Sequence, residues 1–207
     1  MSGLFLTFEG GDGSGKSTQA SLLTQWLTDT GHPVLRTREP GGTDLGVELR
    51  NIVLHRRGHI APRAEALIYA ADRAHHIATT VKPALERGDI VVQDRYLDSS
   101  VAYQGDGREL EAEEIRGISL WAASGLMPDL TFLLDLDQTL GRDRVLRSST
   151  GYDRLEAEED DFHARVRAAY LRLAAAEPDR FVVLDASGSR ESLAAAVRAR
   201  VEPLLNR

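Results

Sequence analysis

A glycine-rich run near the start of the chain, GGDGSGKS at residues 10–17, constrains the fold more than any other feature. It fits the pattern G-x-x-x-x-G-K-[ST], and it lies between a short apolar run at residues 4–8 and a segment with helical spacing. Glycines let the backbone curl so that N–H groups point at phosphate oxygens, and the next helix adds its positive N-terminus. The sequence therefore predicts a nucleoside-triphosphate site, with ATP held by Gly10, Gly11, Asp12, Gly13, Ser14, Gly15, Lys16, Ser17 and Thr18.

Two side chains of this loop are expected to bind the phosphates and a metal ion, and a carboxylate from a later strand is expected to contact the same ion. Lys16 is expected to reach the β- and γ-phosphates of ATP, and the Ser17 hydroxyl is expected to bind Mg²⁺. Asp94 ends an apolar run and is predicted to contact the same ion through water. Asp94 could instead pair with Arg95 or cap a turn. The predicted cofactor is thus Mg²⁺, with ATP as the phosphoryl donor.

The rest of the chain alternates between short apolar runs and longer helical patterns. The apolar runs at 4–8, 34–35, 90–92, 130–136 and 181–184 have turn residues beside them, and several lack polar alternation, as is typical of strands covered on both faces. Helical spacing occupies 16–30, 61–87, 110–124, 156–177 and 190–205, with Pro83 expected to kink or restart the second of these. The pattern predicts a three-layer α/β P-loop NTPase fold: a five-stranded parallel sheet flanked by helices, in one domain over 1–207.

Composition excludes several classes of function. The chain has 25 basic and 32 acidic residues, so no overall basic field attracts nucleic acid. It contains no cysteine, which rules out a disulfide scaffold, a thiolate metal site and thiol catalysis. No apolar run approaches the roughly 20 residues of a membrane helix, and the first residues do not resemble a signal peptide. We therefore expect a cytoplasmic protein with no membrane partner.

Asp12 is unusual because it places a carboxylate inside a phosphate-binding loop. A negative charge facing the triphosphate would be costly, so the side chain is expected to point away from it. A sugar hydroxyl of a second substrate is a plausible partner, and solvent is the alternative.

Arginines at two strand ends predict a second anion site. Arg38 follows the second apolar run and Arg95 follows the third. Ligands of open parallel sheets bind at the carboxyl ends of the strands, so both arginines should lie on the same edge as the loop. Their guanidinium groups suit bidentate binding of a phosphate, although surface ion pairs would also explain them.

Three segments now resemble one family closely. FEGGDGSGKST at 8–18, REPGGT at 38–43 and DRYLDSSVAYQG at 94–105 are similar to signatures of bacterial thymidylate kinases, which phosphorylate dTMP with ATP. YAADR at 69–73 and PDL at 128–130 occur in the order expected for that family. The resemblance covers nearly the whole chain, and it implies ATP and dTMP as substrates.

The resemblance implies a role for each matching position. Asp12 would bind the deoxyribose 3′-hydroxyl, and Arg38 and Arg95 would hold the dTMP phosphate. Tyr69, where phenylalanine is more usual, would stack on thymine, and Tyr103 would crowd the 2′ position. The implied dTMP-binding residues are Asp12, Arg38, Tyr69, Arg73, Arg95, Ser99, Ser100, Tyr103 and Gln104. Without the flanking motif, the tyrosines would suggest core packing and the serines a polar turn.

The segment at 142–154 carries four arginines and a Ser-Ser-Thr-Gly stretch, which is typical of a mobile lid over the donor, at about 141–156. A solvated helix end is the alternative. Thymidylate kinases resemble one another in placing a catalytic arginine either in the phosphate loop, at position 13, or in this lid. This chain has glycine at position 13, so the resemblance implies that the lid supplies the charge. We expect Arg147 first and Arg154 second to do so. The predicted catalytic residues are Lys16, Arg95, Arg147 and Arg154.

Two other functions stay open from the sequence. A deoxynucleoside kinase would share the fold but would not need Arg38 for a substrate phosphate. A nucleotide-gated switch would explain the loop and the mobile segment, but not Asp12, Tyr69 and the 99–103 segment together. The resemblance also implies a homodimer packed through helices, and the 110–125 segment, with Leu120 and Trp121, could provide an apolar face.

Overall fold

Five parallel strands form one sheet at the centre of the protein. The computed structural model describes residues 3–56, 58–108, 110–147, 155 and 158–205. The strands are β1 (Phe5–Glu9), β2 (Val34–Arg38), β3 (Ile90–Asp94), β4 (Leu130–Asp135) and β5 (Phe181–Asp185). Their order is β2-β3-β1-β4-β5, and every neighbouring pair is parallel. The predicted α/β fold with a five-stranded parallel sheet is confirmed.

Helices cover both faces of this sheet. They are α1 (Lys16–Asp29), α2 (Asp44–His55), α3 (Pro62–His76), α4 (Lys82–Glu86), α5 (Leu97–Ser100), α6 (Ala112–Ala122), α7 (Gln138–Arg147), α8 (Asp160–Ala176) and α9 (Arg190–Val201). Within the described ranges, no helix is long and apolar enough to cross a membrane.

Successive strand residues pack into opposite cores. Leu6 and Phe8 of β1 join the core formed with α1 and α9, whereas Phe5 joins a second core that contains Ile77 and Val81. Each fully buried side chain of this size stabilises the fold by about 1.5–3 kcal/mol. Because both faces of the central strands β1, β3 and β4 are covered, both are largely apolar, whereas the edge strands β2 and β5 are partly exposed.

The long helical pattern at 61–87 forms three consecutive elements. The α3 helix ends at His76, a π-helical segment spans Ile77–Val81, and α4 begins at Lys82. Pro83 lies in the first turn of α4, where its missing N–H is tolerated, and the wider π turn before it avoids a clash with the preceding carbonyls. The predicted restart at Pro83 is confirmed.

Several elements were not predicted. The α2 helix begins after Thr43, whose hydroxyl accepts a hydrogen bond from the Gly46 N–H (3.0 Å), so an N-cap signal was present in the sequence. The α5 helix and a π-helical segment at Val101–Gly107 follow β3, and α7 occupies the first part of the expected lid. Boundaries also differ: α6 and α8 begin a few residues later than their patterns suggested.

Candidate active site

The carboxyl ends of the central strands meet at one edge of the sheet. Asp94 of β3 lies in register with Phe8 of β1 and with Arg38 of β2, so the phosphate loop, Asp94 and Arg38 come together there. A cavity of about 520 Å³ opens at this edge. It has the size of a ligand pocket and lies where parallel sheets bind their ligands.

All nine residues implied for dTMP line this cavity, together with Gly13, Gly15, Lys16, Ser17, Thr18 and Asp94 from the ATP and metal predictions. Gly10 and Gly11 instead line a smaller cavity of about 50 Å³ between the loop, α7 and α8. The cationic groups of the main cavity are Lys16, Arg38, Arg50, Arg73, Arg95 and Arg144, and its carboxylates are Asp12, Glu39 and Asp94. An acidic protein thus concentrates positive charge where anions are expected to bind.

The glycine-rich loop adopts a phosphate-cradle geometry. Gly13 and Gly15 have φ angles of 73° and 94°, which are readily available only to glycine. The Lys16 ammonium donates to the Gly11 carbonyl (2.7 Å) and to the Ser14 hydroxyl (3.4 Å). Burial, and then the charge of Arg95, lowers the pKa of Lys16 to about 8. The amine remains mostly protonated at neutral pH and is ready to bind phosphate oxygens.

Ser17 and Asp94 lie beside each other at this edge, since the Ser17 hydroxyl donates to a carboxylate oxygen of Asp94. These oxygen donors suit a hard divalent cation. Among the described residues, no group of three or more histidine, aspartate or glutamate side chains could hold an ion. An ion here would take most of its ligands from phosphates and water, as Mg²⁺ commonly does.

Asp12 does point away from the cradle, as its charge predicted. Its carboxylate accepts hydrogen bonds from Arg95 Nη2 and from the Tyr103 hydroxyl (3.0 Å). Burial raises the pKa of Asp12, but the charges of Arg95 and Lys16 and the Tyr103 hydroxyl outweigh it, so its pKa lies below the ordinary value. Asp12 is therefore an ionised acceptor on the boundary between the loop and the rest of the cavity.

Arg95 occupies a strained backbone position. Its φ is 65°, in the left-handed region, and it is held there by an N–H bond to the Phe8 carbonyl (2.9 Å) and a bond from Gln93 Nε2 to its own carbonyl (3.0 Å). The guanidinium lies over the Tyr103 ring, 4.9 Å from its centroid. Although burial lowers the pKa of Arg95, Tyr103 and Asp12 raise it well above its ordinary value.

The other two predicted arginines differ sharply in environment. Arg38 is exposed in the cavity and its side chain makes no hydrogen bond or ion pair with any described residue, so its guanidinium is available to a ligand. Arg73 is 2% exposed and donates to Glu39 (2.9 Å), Ser119 (3.1 Å) and Ser100 (3.2 Å). Arg73 can therefore present only part of its surface to the cavity.

Glu39 links the loop after β2 to α3. It accepts from Arg73, and its other oxygen lies 2.9 Å from His76 Nδ1, while His76 Nε2 lies 2.7 Å from the Thr37 hydroxyl. A Cβ at Gly42 would lie 2.5 Å from His76 Nε2, so only glycine permits this close packing. Asp72 accepts from the Gly41 N–H (3.2 Å), and burial followed by the charge of Glu39 raises its pKa to about 6. These contacts fix the segment that carries Arg38.

Three of the remaining residues predicted to bind dTMP already form side-chain hydrogen bonds within the protein. Ser99 donates to Glu9 (2.6 Å), and Ser100 accepts from Arg73. Gln104 donates to Glu65 (3.0 Å), leaving its amide oxygen for other partners. The ring of Tyr69 is largely buried in the cavity wall.

The lid candidates fall in three different situations. Arg144 of α7 contacts the Gly13 carbonyl (3.5 Å) and the Ala186 carbonyl (3.1 Å) and lines the cavity. Arg147 is exposed at the end of α7 and does not line the cavity, and its side chain makes no hydrogen bond or ion pair with a described residue. Arg154 and much of the expected lid lie outside the described residues. A Cβ at Gly13 would overlap the Gly141 carbonyl oxygen, so α7 rests directly on the loop.

Sequence reasoning missed the buried partners of these residues. Glu39 and His76 support Arg73, while Glu9 and Tyr170 contact Ser99 and Arg95. The available signals were a carboxylate ending an otherwise apolar strand, at Glu9, and a tyrosine on the apolar face of a helix, at Tyr170. Neither signal identifies the partner, because the contacts join residues far apart in the chain.

The fold and the site together define a class. A parallel sheet whose first strand leads into a phosphate cradle, with a cation-rich cavity beside it at the carboxyl ends of the strands, is the architecture of a P-loop phosphotransferase.

Comparisons with known proteins give the family. The family model described as "Thymidylate kinase" matches residues 8–197. The chain is 67% identical to the thymidylate kinase of Clavibacter sepedonicus, over 99% of this chain and 97% of the relative, and 70% identical to that of Leifsonia xyli subsp. xyli, over 97% and 95%. The crystal structure of thymidylate kinase from Ehrlichia chaffeensis matches with a TM-score of 0.75 and 32% identity, covering 89% of this chain and 93% of that one. This chain belongs to the thymidylate kinase family.

Proposed function

We infer that the protein transfers the γ-phosphoryl group of ATP to dTMP, giving dTDP and ADP on the route to dTTP. An oxygen of the dTMP phosphate attacks the γ-phosphorus while the bond to the β–γ bridging oxygen breaks, and no redox step is involved. The observation that carries this function is the contact of Asp12 with Arg95 and Tyr103, which joins the phosphate loop to the part of the cavity proposed to bind dTMP. Family membership supports the same reaction.

Residue roles follow from position in the cavity. Lys16 and Arg95 would stabilise charge on the transferring and accepting phosphates, and Arg38 would bind the acceptor phosphate. Asp12 would accept from the 3′-hydroxyl, and Tyr103, which already contacts Asp12, would leave no room for a 2′-hydroxyl. Tyr69, Arg73, Ser99, Ser100 and Gln104 would surround thymine, and the loop at 10–18 would hold ATP. One domain over 1–207 would carry out the whole reaction.

Mg²⁺ is the proposed ion, because Ser17 and Asp94 offer adjacent oxygen donors at the phosphate cradle. When bound, it would neutralise charge on the β- and γ-phosphates. Ser17 would bind it directly and Asp94 through water. The cytoplasm is the proposed location, and cell fractionation tests it.

An assay of ADP release with dTMP, dUMP, dCMP, dGMP, UMP and thymidine as acceptors tests the function. We expect strong turnover with dTMP, weak turnover with dUMP and none with thymidine, since Arg38 and Arg95 bind a phosphate that thymidine lacks. Turnover with thymidine but not with dTMP would identify a deoxynucleoside kinase. Slow hydrolysis that no acceptor stimulates would favour a nucleotide-gated switch.

Single alanine variants distinguish the proposed roles of the lid arginines. Arg147→Ala is expected to lower kcat by about 10³-fold, as positioned arginines do in phosphoryl transfer. Arg147 has no described partner in this structure, so its guanidinium is free to move toward ATP. Arg144→Ala should mainly raise the KM for ATP, because Arg144 connects α7 to the loop. A comparable kcat loss in Arg154→Ala, with Arg147→Ala fully active, would move the role to Arg154.

We also propose a homodimer packed through α3 and α6. These neighbouring helices expose Leu67 (57%) and Trp121 (81%), whereas Leu120 packs inward. Covering such large apolar side chains with a second copy removes them from water. Light scattering at micromolar concentration should give a dimer for the wild type and a monomer for Trp121→Glu. The control, Leu171→Glu on α8, should stay dimeric, and a monomeric wild type would reject the proposal.

A further inference from the structure

A buried polar cluster lies behind Arg95, on the side away from Asp12. It consists of Glu9 at the end of β1, Ser99 of α5 and Tyr170 of α8, and it is called here the Arg95 support cluster. Glu9 is fully buried and Tyr170 is 1% exposed. Neither residue is among the predicted ligands of ATP, dTMP or Mg²⁺. Burying a carboxylate beside a phenol costs desolvation free energy unless both groups form hydrogen bonds.

The carboxylate of Glu9 is surrounded by donors. Its Oε1 accepts from the backbone N–H groups of Tyr96 (2.7 Å) and Ser99 (3.3 Å). Its Oε2 accepts from the hydroxyls of Ser99 (2.6 Å) and Tyr170 (2.9 Å). Four donors therefore converge on one side chain, an arrangement that favours its ionised form and fixes both hydroxyl groups.

The same two hydroxyls face Arg95. Nη1 of Arg95 donates to Ser99 Oγ (3.2 Å), to the Tyr170 hydroxyl (3.4 Å) and to the Gly10 carbonyl (3.2 Å). When the hydroxyl protons point at Glu9, their lone pairs are presented to the guanidinium. The other nitrogen, Nη2, is held by Asp12 and by Tyr103 (3.2 Å). Arg95 is thus held from two sides, and the support cluster provides one of them.

We propose that Glu9 and Tyr170 are positioning residues for Arg95, acting through the hydroxyls of Ser99 and Tyr170 to hold the guanidinium where the acceptor phosphate binds. The proposal rests on the function inferred above. Tyr170 lies ten residues into α8, the first helix after the expected lid, so it also ties that helix to Arg95.

Ionisation of Glu9 should influence this support. Burial, and then the nearby charge of Asp98, raises the pKa of Glu9 to about 7. The charged and titratable groups around it are Lys16 from α1, Arg95 after β3, Asp98 of α5 and Tyr170 of α8. Above pH 7 the ionised carboxylate attracts both hydroxyl protons and Arg95. Below pH 7 the carboxyl group of Glu9 is protonated, so it no longer carries the charge that attracts Arg95. Its own O–H then has to donate a hydrogen bond to a neighbouring oxygen of the cluster.

Tyr170→Phe tests the proposal, because it removes one hydroxyl and keeps the buried ring. We expect kcat/KM for dTMP to fall about 10-fold, the loss of a hydrogen bond to a charged group, with the KM for ATP within twofold of wild type. The dTMP Kd, measured calorimetrically, should weaken in parallel. The control is Thr7→Val, which removes a buried hydroxyl paired with Thr131 (2.8 Å) outside the cavity and should leave dTMP binding unchanged.

The pH dependence provides a second readout. The ratio of kcat/KM for dTMP between wild type and Glu9→Gln should rise as pH increases through about 7, since only the wild type gains a carboxylate charge. Ionisation of dTMP itself affects both enzymes equally and cancels in the ratio. Equal dTMP constants for Tyr170→Phe and Thr7→Val, or a ratio that does not change with pH, would overturn the proposal. A wild type without activity on dTMP would instead reject the inferred function.

Discussion

Replacing Lys16 with alanine is expected to lower kcat by about 10²–10³-fold, because a preorganised charge at the transferring phosphate is lost. The fold should survive, since among the described residues the ammonium donates hydrogen bonds only to the Gly11 carbonyl and the Ser14 hydroxyl. Removing a buried amine whose pKa burial has already lowered also removes a desolvation cost. Steady-state kinetics with saturating dTMP and a thermal melt measure the two effects.

The chain offers a matched control for this experiment. It contains only two lysines, and the second, Lys82, lies at the start of α4 away from the cavity. Lys82→Ala should turn over dTMP like the wild type. Turnover by Lys16→Ala within twofold of wild type would remove the phosphate loop lysine from the mechanism.

The second large effect is on stability. Arg73→Leu should reduce the free energy of unfolding by about 3–5 kcal/mol, because it removes the guanidinium that pairs with the buried carboxylate of Glu39 and leaves that carboxylate beside His76. The hydroxyls of Ser100 and Ser119 lose their donor as well. Denaturant unfolding measures the loss, and a melting temperature lower by about 10 °C should accompany it.

Two further variants check the cause of this loss. Arg63→Leu removes an arginine from the same helix, but Arg63 is 78% exposed and pairs with an exposed Glu114, so we expect a change below about 1 kcal/mol. Adding Glu39→Gln to Arg73→Leu removes the stranded charge and should recover part of the stability. A double variant no more stable than Arg73→Leu alone would show that the buried charge is not the cause.

The fold was predictable where local signals were strong. The central strands β1, β3 and β4 are covered on both faces and lack regular polar alternation, and the loop at 10–17 combined glycines with a lysine and a serine in a strand–helix context. The α2 helix was missed because its N-cap, Thr43, lies in a segment already explained as a phosphate signature. In the folded chain the segment 38–43 has two roles: it carries Arg38 to the cavity, and its last residue, Thr43, caps α2. Only the first of these roles was predicted from the sequence.

The site was predictable only at its surface. Asp12, Arg38 and Arg95 could be identified because they follow the carboxyl ends of parallel strands, and ligands of such sheets bind at that edge. Glu39, His76, Glu9 and Tyr170 could not be assigned, because their meaning depends on partners that lie more than 30 residues away in the chain. Tertiary structure alone brings these partners together.

The contact between Gly13 and Gly141 limits how this enzyme can change. Any side chain at position 13 would meet the carbonyl of Gly141, and a Cβ at Gly141 would lie 2.5 Å from the carbonyl oxygen of Asp12. An arginine could enter the phosphate loop at position 13 only after α7 had moved away, and that movement would also withdraw Arg144 from Gly13. The loop and α7 are therefore mutationally interdependent, because a side chain at position 13 requires a compensating change in α7.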